Sequence, residues 1–238
     1  MTVTFALSIL ITSCFVMGPA ASLAAQDPFD FPVDSEKLKT GEPQLFQRAY
    51  PPQGHNKKKQ IAGIILINAG PDDVWEVATE WDELGRFVPD VEYYKTILVL
   101  EPAGNGRIGK SFIEGKLDVP LFNIQYTLDV MFDQSGLRQE WRLMTPEEIN
   151  IYNLIGIQLK RSSSGIESIE GASWIRPADG GRKVVYIYLS TVEYSMILPE
   201  FLEEYLSRNA LAGYLEGIKK RVESQGVYVK QPFSLFAP

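Results

Sequence analysis

The stretch IAGIILINAGPDDVWEVATEWDELGRFVPDV, residues 61–91, decides the fold. Its first seven residues, Ile61 to Ile67, form an apolar, β-branched run bounded by Asn68 and Gly70-Pro71, which has the length and composition of a buried strand. Pro71-Asp72-Asp73 then opens a helix: the fixed φ of proline suits a first turn, and aspartates there complement the positive end of the helix dipole. Val74, Trp75, Val77, Ala78 and Trp81 recur near helical spacing, so this helix packs one apolar stripe. Asp82 to Pro89 reads as a second, short helix that Pro89 terminates.

Upstream, residues 26–60 carry Pro28, Pro32, Pro43, Pro51, Pro52 and Gly54 around one extended piece, Gln44 to Tyr50. This predicts a short linker and then a first strand interrupted by a Pro-Gly loop. Downstream, strands separated by turns are predicted over Glu92–Glu101, Arg107–Val119, Leu121–Phe132 and Leu137–Met144. In the third of these Phe122, Ile124, Tyr126, Leu128, Val130 and Phe132 alternate with Asn123, Gln125, Thr127 and Asp129, a period of two that gives one covered and one wetter face. Gln139 and Trp141 alternate with Arg138, Glu140 and Arg142 in the same way. A hairpin follows, Gly165–Arg176 and Arg182–Tyr194, joined through Pro177-Ala178-Asp179-Gly180-Gly181. Pro199 opens a long helix to about Gln225 whose apolar face includes Phe201, Leu202, Tyr205, Leu211, Tyr214, Leu215 and Ile218, with Gly226 as its stop. The class is therefore α+β: an antiparallel sheet hides one face, and the long helix with its wide apolar side lies in the curve of that sheet.

The first 24 residues read separately. Phe5 to Met17 is an apolar run followed by Gly18-Pro19 and the small residues Ala20 to Ala25, shorter than the ~20 residues that cross a bilayer. A signal peptide over 1–24, cleaved after Ala24 and delivering the chain to the periplasm, is the expectation, although no Lys or Arg precedes the run. Ile11-Thr12-Ser13-Cys14 also resembles a lipobox, but the chain stays apolar after Cys14, so a lipoprotein is the less favoured reading. The remaining segments are a linker over 25–36, a domain over 37–225 and a tail over 226–238.

Composition narrows the function. Thirty acidic against 23 basic residues give a net charge of −7, which argues against nucleic acid as partner, where many cations must replace counterions. One His and one Cys supply neither a zinc site nor a disulfide framework, and no P-loop, dinucleotide fingerprint or clustered carboxylates are present, so no cofactor or metal is expected.

The order of elements, with Pro71-x-x-Val74-Trp75-x-Val77, Trp81, Phe87-x-Pro89-x-Val91 and Gly171-x-x-Trp174 ahead of Pro199, resembles the START-like (SRPBCC, helix-grip) superfamily. Leu38-x-x-Gly41-Glu42 resembles its exported bacterial cyclase/dehydrase branch, which also includes lipid-transport types. The resemblance implies a curved antiparallel sheet of about seven strands wrapped around a long C-terminal helix, with two short helices after the first strand. It also implies an apolar cavity for a lipid, quinone or polyketide-like molecule, with Trp81, Phe87, Tyr126, Trp141, Trp174, Tyr188, Phe201 and Tyr205 as candidate liners. No catalytic residue carries over. Glu114, Asp129, Glu140 and Glu193 are the strand carboxylates weighed for acid–base chemistry, with Glu193 and Tyr194 placed near the cavity mouth and Tyr186 and Tyr188 as groups that could orient a carbonyl. Non-catalytic carriage of a hydrophobic ligand in the envelope is the expected function, with transient membrane contact through loops such as Leu84–Val88. A ligand-free partner-binding module and a cyclase-like enzyme are the alternatives.

Overall fold

The alternation through residues 122–132 sets the architecture, because it gives a strand two chemically distinct faces and each face acquires its own cover. In the computed structural model, described over residues 30–50, 58–104, 106–119, 122–163, 166–194 and 204–231, eight strands form one curved antiparallel sheet. They are β1 (Gln44–Ala49), β2 (Lys58–Ile67), β3 (Val91–Glu101), β4 (Gly109–Val119), β5 (Phe122–Asp133), β6 (Arg138–Leu143), β7 (Ile166–Ala178) and β8 (Lys183–Tyr194). Their spatial order is β1-β2-β8-β7-β6-β5-β4-β3, so β1 and β3 are the edges and the sheet does not close.

The count exceeds the expected seven for a definite reason. What reads as one strand interrupted by a Pro-Gly loop is a pair, with Phe46 opposite Ala62 and Gln44 opposite Ile64. The two short helices accordingly follow the second strand. α1 (Ser35–Thr40) begins inside the expected linker; Asp34 caps it by accepting from the Glu36 and Lys37 N–H groups, and Gly41 ends it with φ +76°. α2 (Pro71–Thr79) carries proline in its first turn, as predicted, and a 3₁₀ turn (Trp81–Glu83) leads into α3 (Leu84–Phe87).

The large core lies on the concave side, where Val74, Leu84, Val130, Leu215 and Ile218 are buried with the inward rows of β2–β8. The C-terminal helix lies in this curve: a π-helical stretch (Tyr205–Ala210) runs into α5 (Leu211–Glu223). Gly63 of β2 faces it at a point where a Cβ would enter Leu215, so the helix packs directly on the backbone of the strand. The expected start at Pro199 lies outside the described residues, as do the segments 1–29 and 232–238.

The convex side is also covered, which the chain order does not announce. A helix absent from the sequence reading, α4 (Pro146–Leu154), follows β6 and is held by a full capping box, Thr145 with Glu148. Beneath it Phe112, Met144, Ile149 and Leu159 form a second core, while Phe31, Ala62 and Leu189, with Phe46 and Trp174 against them, form a third nearer β1.

Candidate functional site

Between sheet and helix the concave core is not filled. A cavity of about 160 Å³ remains, lined by Trp81, Leu84 and Val88–Val91 from the segment after α2, by Tyr94, Leu117, Ile124, Tyr126, Leu128 and Trp141 from β3–β6, by Ile169, Tyr188, Ser190, Val192 and Tyr194 from β7 and β8, and by Ala210, Leu211 and Tyr214 from the last helix. Its inner end is closed by the buried Trp81, Leu128 and Trp141; at the other end Pro89 is exposed and Leu117, Val192 and Tyr194 are half-buried.

Local rules place these groups. Trp141 stands on the inward parity of β6, opposite Gly171 of β7; a Cβ at Gly171 would sit inside the indole, so this glycine is the space the ring occupies. Trp81 meets Trp141 and Tyr94 edge to face, with centroids 6.1 and 4.9 Å away, and Tyr188 lies 5.0 Å from Trp141 and 5.2 Å from Tyr214. Trp81 spends its only polar atom on Gln139 (Nε1–H to Oε1, 3.0 Å), and Gln139 in turn donates to the Ala78 carbonyl at 3.1 Å. The end of α2 is thereby tied to β6, and the indole presents only carbon to the cavity.

The polar atoms of the lining are mostly tyrosine hydroxyls. Tyr94 and Tyr126 bond each other at 2.9 Å, and Tyr214 bonds the fully buried Tyr186 at 3.0 Å. Burial pushes the hydroxyls of Tyr126, Tyr188 and Tyr214 upward, because the phenolate form would be stranded in apolar surroundings. All remain protonated donors at ordinary pH. Asp90, at φ +59°, accepts from the Tyr205 hydroxyl at 2.8 Å, and burial followed by this bond pushes Tyr205 up to about 12. The adjoining backbone is braced by Lys230, whose ammonium donates to the Val88 and Val91 carbonyls at 3.1 and 2.6 Å.

The candidate liners divide. Trp81, Tyr126, Trp141 and Tyr188 meet around the cavity. Phe87 is buried in the core beside it, under the Arg221 guanidinium 5.4 Å away, and Tyr205 engages Asp90 rather than lining the wall. Trp174 is a correction: it stands on the outward parity of β7, packed with Phe31, Ala62 and Leu189, with the Arg138 guanidinium 5.3 Å from its ring. Phe201 lies outside the described residues. Tyr94, Tyr214, Leu128 and Ile169 are liners that the sequence reading did not single out.

The four candidate strand carboxylates fall away from the cavity, leaving Asp90, among the described residues, as the one carboxylate in its lining. Glu193 has the outward parity of β8 and accepts from Ser168 at 3.3 Å, so its expected place at the mouth is corrected; Tyr194, one residue on, does line the cavity. Glu114 accepts from Tyr93 and Gln125 on the outer face, and this bond pushes the Tyr93 hydroxyl up to about 12. Asp129 pairs with Arg142 at 2.8 Å and Lys110 at 3.2 Å, and Glu140 pairs with Arg138 at 2.7 Å. Tyr186 bonds Tyr214 of the last helix and does not itself line the cavity. Leu84, Phe87 and Val88 are each 1% exposed and form no docking loop. His55, the chain's one histidine, lies outside the described residues. Among the described residues no His, Cys, Asp and Glu group is placed to hold a metal, and no helix is long and apolar enough to cross a membrane.

No family model and no curated protein matches the chain. Solved structures do. A STAR-related lipid transfer protein from Xanthomonas axonopodis aligns with 76% of this chain and 93% of its own at TM-score 0.53 and 16% identity. The Zhui aromatase/cyclase from a Streptomyces species aligns with 71% and 98% at TM-score 0.52 and 14% identity. A START superfamily protein from Mycobacterium smegmatis aligns with 70% and 98% at TM-score 0.52 and 11% identity. With an open eight-stranded antiparallel sheet curved around its C-terminal helix, the chain has the START-like, helix-grip fold.

Proposed function

We propose that the protein binds a hydrophobic ligand in the cavity between the sheet and α5 and carries it, chemically unchanged, in the cell envelope. The observation that carries this reading is the ring-walled void itself. Interiors pack to the density of organic crystals, and about 160 Å³ left among Trp81, Trp141, Tyr188 and Tyr214 is similar to an apolar cavity of roughly 150 Å³ that admits benzene. Two similar structures bear the names of a lipid transfer protein and an aromatase/cyclase, which agrees with a hydrophobic ligand. Carriage is favoured over catalysis because Glu114, Asp129, Glu140 and Glu193 all stand on the outer face and the one carboxylate of the described lining, Asp90, is engaged by the Tyr205 hydroxyl, whereas acid–base work requires a titratable group aimed at the reacting atom.

Mass spectrometry of protein purified natively from its own host is the test: a stoichiometric hydrophobic molecule is expected, lost in Ile169→Phe, which fills the cavity. An empty interior in a native preparation overturns the reading. The envelope location rests on residues 1–24, and a mature N-terminus at Ala25 is the expected result of sequencing the exported protein.

Membrane contact belongs to the same reading and is assigned to α4. Ile151, Leu154 and Ile155 are 60%, 87% and 69% exposed at the end of that helix, and no charged residue occurs between Glu148 and the basic pair Lys160-Arg161. An aliphatic tip with basic residues behind it suits the boundary between acyl chains and phosphate headgroups. Flotation with phosphatidylglycerol vesicles is expected for the native chain and lost in L154S/I155S; equal flotation of both removes the contact from the proposal.

A further inference from the structure

We propose that the cavity selects a neutral, ring-bearing ligand with one hydroxyl or carbonyl oxygen, held by the Tyr94–Tyr126 hydroxyl pair, and rejects carboxylates and phosphates of the same shape. The inference rests on the binding reading above and narrows its ligand class.

Three observations converge. First, among the described residues no Lys, Arg or His lines the cavity, and the one charged liner, Asp90, is an acid. An anion entering would give up its hydration and meet no countercharge, a loss that apolar contact with one ring does not return. Lys230, which feels the charge of Asp90, is committed to the Val88 and Val91 carbonyls. Second, the lining does offer donors. Two hydroxyls have two O–H groups between them, and the 2.9 Å bond between Tyr94 and Tyr126 uses one of these. The second O–H of the pair is left for a ligand oxygen, beside the Trp81 ring that packs on Tyr94. The upward-shifted pKa of Tyr126 keeps it a donor rather than an anion. Third, the size fits one ring: about 160 Å³ is below the roughly 300–1,000 Å³ of sites that enclose drug-sized molecules. A larger ligand would place one terminal ring here and the rest toward Pro89 and Tyr194.

The test is an NMR titration of the full mature chain with three one-ring probes: phenol, toluene and benzoate at pH 7. Phenol is expected to bind more tightly than toluene and at least about tenfold more tightly than benzoate, since one tenfold step corresponds to only ~1.4 kcal/mol. Tyr126→Phe should weaken phenol about two- to tenfold, the range of one net hydrogen bond, and leave toluene unchanged. Tyr94→Phe, which keeps the ring beside Trp81, serves if Tyr126→Phe does not fold. Benzoate binding as tightly as phenol, or phenol binding unaffected in the folded tyrosine variant, overturns this selectivity while the binding reading stands. Failure of all three probes, together with a ligand-free native preparation, overturns both.

Discussion

Gly171 and Trp141 form one functional unit across the β6–β7 pair. The indole occupies the place where any side chain at 171 would project, so Gly171→Ala must either push Trp141 into the cavity or separate the strands. Overpacking of this kind costs ~1–3 kcal/mol, and the expected result in urea denaturation is an unfolding free energy lowered by that amount together with loss of ligand capacity. Gly171 and Trp174 were both visible in the sequence as a motif, yet only the glycine serves the cavity. Period-two alternation says that Trp174 and Gly171 differ in parity but not which parity faces the helix. The usual clue, a polar outer row, fails because Trp174, Leu189 and Ala62 are covered on the outside as well. Tyr94 was hidden for another reason: the register of β3 against β4 shifts at three places, so counting residues does not reveal which side a given tyrosine takes.

Among the elements, α4 departs most from expectation. Residues 149–159 contain no charge and show no clean helical stripe, because Ile149 is buried while Ile151, Leu154 and Ile155 are exposed. Apolar residues on both sides of a helix erase the periodicity by which helices are read, leaving only the cap, Thr145-Pro146-Glu147-Glu148, as a signal. That cap is testable. Thr145→Ala should cost ~1 kcal/mol, as lost N-caps do, read by urea denaturation. Glu148 is held below the usual carboxylate range, first by its bond to Arg142 and then by the Thr145 N–H, against an opposing push from burial. Its contribution to stability is therefore complete above the unfolded value of about 4.3 and is lost as pH falls through the lower folded value. The stability gap between the native chain and Glu148→Gln should be constant above about pH 5 and shrink below it; a gap that grows on acidification would contradict the Arg142 bond. By contrast β5, β6 and α2 were legible because each sets an apolar row against a polar one.

For the whole molecule, two sides of one sheet carry separate cores, and substitutions on them should have different consequences. Ile149→Ala, under α4, is expected to destabilise by ~2–4 kcal/mol, the range for a buried aliphatic truncation, while leaving probe affinity for the cavity unchanged. L154S/I155S, at the exposed tip, should stay within ~0.5 kcal/mol of the native chain. Element order and parity made the concave layer, the sheet against the last helix, readable in outline, but not the convex cores. The depth of the cavity was not readable, because it depends on how far Trp81 and Trp141 fall short of filling the curve. The indoles have a further consequence. Trp81 and Trp141 border the cavity, while Trp174 sits on the other side of the sheet beneath Arg138. The chain thus carries its own optical reporters: an occupant should perturb the emission of the inner pair, and Trp174→Phe should remove part of the constant background, the rest coming from the half-buried Trp75, without altering that response.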